Sequence, residues 1–235
     1  MIKTELIKKS PVRVFEETLN GGLGQGNLGV ITARKGIGKT ATLVHLAIDK
    51  LMRGKNVLHI SFADDPRHIH SWYNQVFNEI VRAYKLENQS QVLDDLIRHR
   101  LILHFKQTDI SFEQIKNHIN ELTKGMPAAP DVIIIDGFPW EDAKPDQVEN
   151  WQTYATENKV AIWFSATLHR EKLDLDDQGI PYPVNKFVDQ LRVIIMLQPE
   201  KNHIDLQLLK KTGGEDIPLR LKLDPHTLLL ANHRV

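Results

Sequence analysis

The stretch ARKGIGKT, Ala33 to Thr40, carries the residue types that hold a polyphosphate. Gly36 and Gly38 keep bulk out of the loop, so backbone N–H groups can converge on phosphate oxygens. Lys39 adds a mobile positive charge for the terminal phosphates, and the Thr40 hydroxyl can ligate Mg2+. The phosphate-binding run is therefore Lys35, Gly36, Ile37, Gly38, Lys39, Thr40 and Ala41. Its partner is a carboxylate at the end of a buried strand. DVIIIDGF supplies one, with Asp136 after four apolar residues, placed to hold Mg2+ through its water shell. Together these residues suit a nucleoside triphosphate and a magnesium ion.

Such a loop works only between a strand and a helix. LGVITA (28–33) precedes it, and TATLVHLAIDKLM follows with Leu43, Val44, Ala47, Ile48 and Leu51 on one helical face. Gly54 stands just past that helix as a stop, and the new helix points its positive end at the anion. Further strands are expected at 56–62, 101–105, 131–136, 160–166 and 192–198. Helices are expected at 39–53, 67–86, 111–123 and 145–158. Alternating strands and helices imply right-handed crossovers and a parallel sheet. The runs VIII and RVIIM lack in/out alternation, as strands covered on both faces do. HIDLQLLKK (203–211) and PLRLKLD (218–224) alternate at period two around Thr212–Gly214, which predicts an antiparallel hairpin with HTLLL (226–230) as a third strand. GQGNLG (24–29) fits G-x-G-x-x-G but comes before a strand instead of opening a helix, so a turn is the better reading than a dinucleotide site.

The chain has 235 residues, enough to bury a sizeable core, and no Pro/Gly/Ser-rich linker, so residues 1–235 read as a single domain. Lys plus Arg equals Asp plus Glu, 30 against 30, which weighs against a nucleic-acid coat or a membrane-surface protein. The absence of cysteine excludes disulfides, thiolate metal sites and Cys nucleophiles. No run approaches the ~18 apolar residues of a membrane span, and the N-terminus lacks a signal-peptide core. A cytoplasmic location is expected.

TLNGGLGQGNLGVITARKGIGKTATLVHLA, the strand ending HISFADDP, VIIIDGF and IWFSATLHRE together resemble the RecA-like P-loop ATPases, in the KaiC/DnaB-type branch. The resemblance spans roughly residues 15–230, with the phosphate loop and its lead-in the specific part. It implies an α/β fold with a RecA-like P-loop NTPase core, a mainly parallel sheet flanked by helices and a C-terminal antiparallel hairpin. It also implies ATP and Mg2+ at the carboxyl ends of the strands, and homo-oligomers, rings or filaments, with nucleotide between subunits.

The departures from that pattern bear on activity. The family's glutamate base falls on Ala63, in Ser61-Phe62-Ala63-Asp64-Asp65-Pro66. Asp64 is the candidate catalytic replacement, with Asp65 behind it, and Lys39 is the other candidate catalytic residue. An aspartate is one methylene shorter, and a base must come within hydrogen-bond reach of its water. The alternative is that both aspartates cap a helix beginning at Pro66. The γ-phosphate-sensing glutamine is replaced by Ala166-Thr167, leaving the shorter Thr167. The basic finger that reaches a neighbour's nucleotide reads Lys210-Lys211-Thr212, without its arginine. The loop that would touch single-stranded DNA, residues 169–189, holds three Lys/Arg and five Asp/Glu, so DNA is disfavoured as a partner. Tyr182, which could stack a base, sits between two prolines. The eleven histidines show no metal spacing, Trp140 reads as structural, and the basic cluster around LILHF, Arg98 to Lys106, reads as a solvated face. The functions in contention are a weak or assembly-dependent ATPase acting as a switch, an ATP-holding scaffold, a DNA-acting relative and a small-molecule kinase.

Overall fold

The computed structural model describes residues 1–62, 65–106, 110–125, 128–168, 174–213 and 218–232. In chain order the helices are α1 (Lys3–Lys9), α2 (Val12–Thr18), α3 (Lys39–Met52), α4 (Pro66–Tyr84), α5 (Gln89–Arg98), α6 (Phe112–Leu122) and α7 (Pro145–Glu157). The strands are β1 (Leu28–Arg34), β2 (Val57–Ser61), β3 (Arg100–His104), β4 (Val132–Asp136), β5 (Ala161–Leu168), β6 (Leu191–Pro199), β7 (Ile204–Lys211), β8 (Leu221–Leu223) and β9 (Leu230–Asn232). All nine form one sheet in the order β3-β2-β4-β5-β1-β6-β7-β8-β9. The first six are parallel. The last three add antiparallel: the period-two alternation predicts β7 and β8, whereas the third strand expected at 226–230 falls instead at Leu230–Asn232, after a turn over 225–227.

Helices cover both faces. One face packs α1 to α5 around Leu43, Ile48, Ile69 and Tyr73. The other packs α6, α7 and the turn Val184–Phe187 around Val148, Trp151, Phe164 and Phe187. The central strand β1 therefore buries Ile31 on one side and Leu28 and Val30 on the other. Gly29 lies flat against Trp163, whose ring carbons would come within 2.6 Å of an added Cβ.

Local signals fix the helix ends. Asp65 accepts from the N–H groups of Arg67 (2.8 Å) and His68 (3.2 Å), and Pro66 occupies the first turn of α4. Ser111 and Gln114 form a reciprocal capping box on α6. α3 stops at Gly54, whose N–H donates to Leu51 O at 2.9 Å. Three helices lie outside the sequence expectation. α1 and α2 are seven residues each, and α5 buries only Val92 and Leu96, too few positions to show a period.

The connection from β1 leaves through α3 on one face, while that from β4 leaves through α7 on the other. Strand continuations that part to opposite faces open a crevice at the carboxyl ends of a parallel sheet. No described helix is long and apolar enough to cross a membrane.

Candidate functional site

The loop after β1 turns on Gly36 (φ 84°) and Gly38 (φ 105°), both in the left-handed region that favours glycine. At Gly38 space is also closed: an added Cβ would stand 2.4 Å from Leu223 Cδ2 of β8. α3 begins at the next residue, so its free N–H groups open onto the loop. Lys39 folds back across this loop and donates from Nζ to the carbonyls of Ala33 and Arg34, each at 3.1 Å. Only 8% of it is exposed. Burial pushes its ammonium down to about 8, with nearby Asp136 opposing the shift and Lys35 adding to it.

Asp136 ends β4 and is buried. Its Oδ2 accepts from Thr40 Oγ1 at 2.7 Å, and its Oδ1 accepts from Ser165 Oγ of β5. Ser165 is the hub of this corner. Its hydroxyl also accepts from Gly137 N–H at 2.8 Å, and its carbonyl accepts from the Trp140 indole N–H at 2.8 Å. Thr40 and Asp136 offer hard oxygen donors side by side, as Mg2+ requires. Among the described residues no cluster of three His, Cys, Asp or Glu could cage an ion. A magnesium ion here would complete its shell with water and phosphate oxygens, the usual arrangement for Mg2+ on a nucleotide.

These groups line a cleft of about 800 Å3, within the size range of small-molecule sites. Lys35 to Ala41 form one side together with Asp136, and Thr167 stands exposed at the end of β5. His68 and Trp72 of α4, Glu141 and Asp142 after β4, and Pro225 and Leu228 also line it.

The structure thus gathers Lys35, Gly36, Ile37, Gly38, Lys39, Thr40, Ala41 and Asp136 in one place. Asp64, the candidate catalytic residue, lies outside the described residues, as does Ala63. Asp65 serves as the α4 cap, with Arg67 and backbone N–H groups holding its carboxyl below the usual range. Lys210 and Lys211 pair with Ile194 and Val193, near the start of β6, while Ile204 at the other end of β7 lines the cleft. The two lysines therefore sit at the opposite end of the sheet from their own cleft. They donate to the carbonyls of Val188 and Thr18.

Of the 169–189 loop, residues 169–173 lie outside the described set. In the remainder, the Lys186 ammonium lies 4.7 Å over one face of the Tyr182 ring. GQGNLG lies at the amino end of the sheet, where Gly26 N–H donates to Val160 O at 3.0 Å; it is a turn into β1. Trp140 is buried among Phe138, Phe164 and Phe187, as its structural reading predicts. Arg100 of the LILHF cluster is not simply solvated: its guanidinium lies 4.3 Å over the Tyr73 ring and meets His70 Nδ1 at 3.0 Å.

Ser165 is the residue of this corner to which the sequence assigned no role. A serine inside an apolar strand is unremarkable until the register, Ile135 against Phe164, sets it beside Asp136. No protein-family model matches the chain, and no curated protein matches it.

Proposed function

We propose that the cleft binds a magnesium-bound nucleoside triphosphate, ATP, as a RecA-like P-loop protein of the KaiC/DnaB-type branch. The observation that carries this reading is the Thr40–Asp136 hydrogen bond across the mouth of the strand–loop–helix. It joins a hydroxyl at the start of α3 to a carboxylate two strands away, the pair a phosphate-bound Mg2+ needs. Lys35 to Gly38 would present backbone N–H groups to the phosphates. Lys39 would exchange its two loop carbonyls for phosphate oxygens. Thr40 and Asp136 would hold the ion, which would supply positive charge to offset that of the phosphates.

The protein acts in this reading as a nucleotide-dependent switch or scaffold in a homo-oligomer, with at most slow hydrolysis. The position of Lys210 and Lys211, remote from their own cleft, gives them no role toward the nucleotide it would hold. DNA translocation has little support, since the described part of the 169–189 loop is acidic.

The test is calorimetric titration of the full chain with Mg-ATP and with ATP in excess EDTA, beside Lys39→Ala, while light scattering follows mass. The reading expects saturable, metal-enhanced binding that Lys39→Ala weakens at least about tenfold, as loss of a charge-assisted contact should. Absence of binding, or binding indifferent to both metal and Lys39, refutes it.

A further inference from the structure

A second cavity, of about 190 Å3, lies at the other end of the sheet from the phosphate loop. Its wall runs from the loop before β1 to Lys55 before β2, Asp131 before β4 and Ala161, the first residue of β5. These are the amino ends of parallel strands, whereas the Thr40–Asp136 corner stands at their carboxyl ends. The floor is apolar and buried: Phe15, Leu23, Leu46 and Trp163 are each no more than 5% exposed. The Phe15 and Trp163 rings lie 5.5 Å apart, tilted by 55°, and form an aromatic corner. Gly21, Gly22 and Gly24 wall the cavity with backbone and offer no side chain to fill it. The volume is below the roughly 300–1,000 Å3 of sites for drug-sized ligands, so it suits a single ring system.

The rim carries an excess of positive charge. Arg13, Lys50 and Arg53 converge on Glu16, while Asp49 accepts from Arg13 and lies 3.9 Å from Arg53 Nη1. Three cations therefore face two carboxylates. Lys55 and Asp131 pair at 3.0 Å and cancel. Among the described residues the Arg53 guanidinium bonds through Nη1 alone, at 2.7 Å to Glu16 Oε1. Its Nε and Nη2 edge has no acceptor there. Glu16 holds Arg53 at the cavity, since it lines the same space and its Cγ is 3.5 Å from the position of a Cβ on Gly22. A guanidinium edge presents parallel N–H groups that match the two oxygens of a carboxylate.

We propose that this cavity is a second ligand site, which takes a small aromatic carboxylate with its ring on Phe15 and Trp163 and its carboxylate on the free edge of Arg53. The site stands apart from the phosphate-loop cleft and does not depend on what that cleft binds. A neutral ring gains the floor alone, and a cationic one meets the surplus charge of the rim, so the cavity selects by charge as well as shape.

Calorimetric titration of the full chain compares indole-3-acetate, indole and tryptamine, which share one ring system and are negative, neutral and positive. Indole-3-acetate should bind saturably and at least about tenfold more tightly than indole, as a charge-assisted contact predicts. Tryptamine should bind most weakly. Arg53→Gln should bring indole-3-acetate within about threefold of indole and leave indole within about twofold of wild type. Arg53 is partly exposed, and urea denaturation checks that the variant folds. NMR of nitrogen-labelled indole groups locates the ligand among the four tryptophans. The signal missing from Trp163→Phe should shift most, whereas Trp72 and Trp140 line the phosphate-loop cleft and report binding there. The inference is overturned if the largest shift falls on any other tryptophan, or if wild type binds indole as tightly as indole-3-acetate. It is also overturned if folded Arg53→Gln keeps the preference, or if indole-3-acetate shows no saturable binding up to about 10 mM. Each of these failures leaves the Mg-ATP reading of the cleft to its own test.

Discussion

If the cleft binds a nucleotide as proposed, Lys39 should make that binding a proton-uptake reaction in weakly alkaline solution. In the free protein, burial holds its ammonium near 8, against an ordinary 10.5. Phosphate oxygens arriving at Nζ favour the charged form and return the group toward or above its ordinary value. The neutral fraction that must be reprotonated is about one tenth at pH 7, about one half at pH 8 and about nine tenths at pH 9. The terminal phosphate, with a pKa of about 6, is ionised across that range and adds little. Calorimetric titration with a non-hydrolysable Mg-ATP analogue in two buffers of different ionisation enthalpy reads the uptake directly. The expected dissociation constant rises toward tenfold per pH unit above about pH 8. Lys39→Arg, which stays charged, should bind without the uptake. The same shift has a stability consequence of defined sign. Between about pH 8 and 10.5 the unfolded chain holds a proton that folded Lys39 sheds, so this residue's contribution to stability rises with pH through that window. Tight binding with no proton uptake at pH 8 to 9, or uptake undiminished in Lys39→Arg, would refute the placement of Lys39 at the phosphates.

Substitutions at three positions test the scaffold around the site. Gly38→Ala meets both a left-handed φ of 105° and Leu223 at 2.4 Å; urea denaturation should show a loss of about 2–4 kcal/mol, and a loss below about 1 kcal/mol would contradict the packing. Gly29→Ala drives a Cβ into the Trp163 ring on the central strand; it should cost about 1–3 kcal/mol by overpacking, with a shift in tryptophan emission. Ser165→Ala removes the donor to Asp136 Oδ1 and the acceptor of Gly137 N–H; it should cost about 1–3 kcal/mol in the same denaturation assay. It should also weaken Mg-dependent nucleotide binding more than metal-free binding, whereas Ser165→Thr should largely restore both.

The sequence alone determined the strand–loop–helix of ARKGIGKT, because glycine spacing and helical period are local properties that survive without tertiary context. It determined the parallel character of the sheet as well, from strands without alternation, and the antiparallel extension, from strands with it. The cap at Asp65 was legible as one of two readings, and only the observed bonds to Arg67 and His68 chose between them. Tertiary structure decided the strand order, which brings β4 and β5 beside β1 and so sets Asp136 against Thr40, 96 residues apart in the chain. It also decided that Ser165 joins them, that Trp140 anchors the loop after β4, and that Lys210 and Lys211 lie at the far end of the sheet. Each of these is a pairing across the fold. Register and strand order are fixed by which apolar faces bury one another, a sum over the whole chain that no short stretch contains.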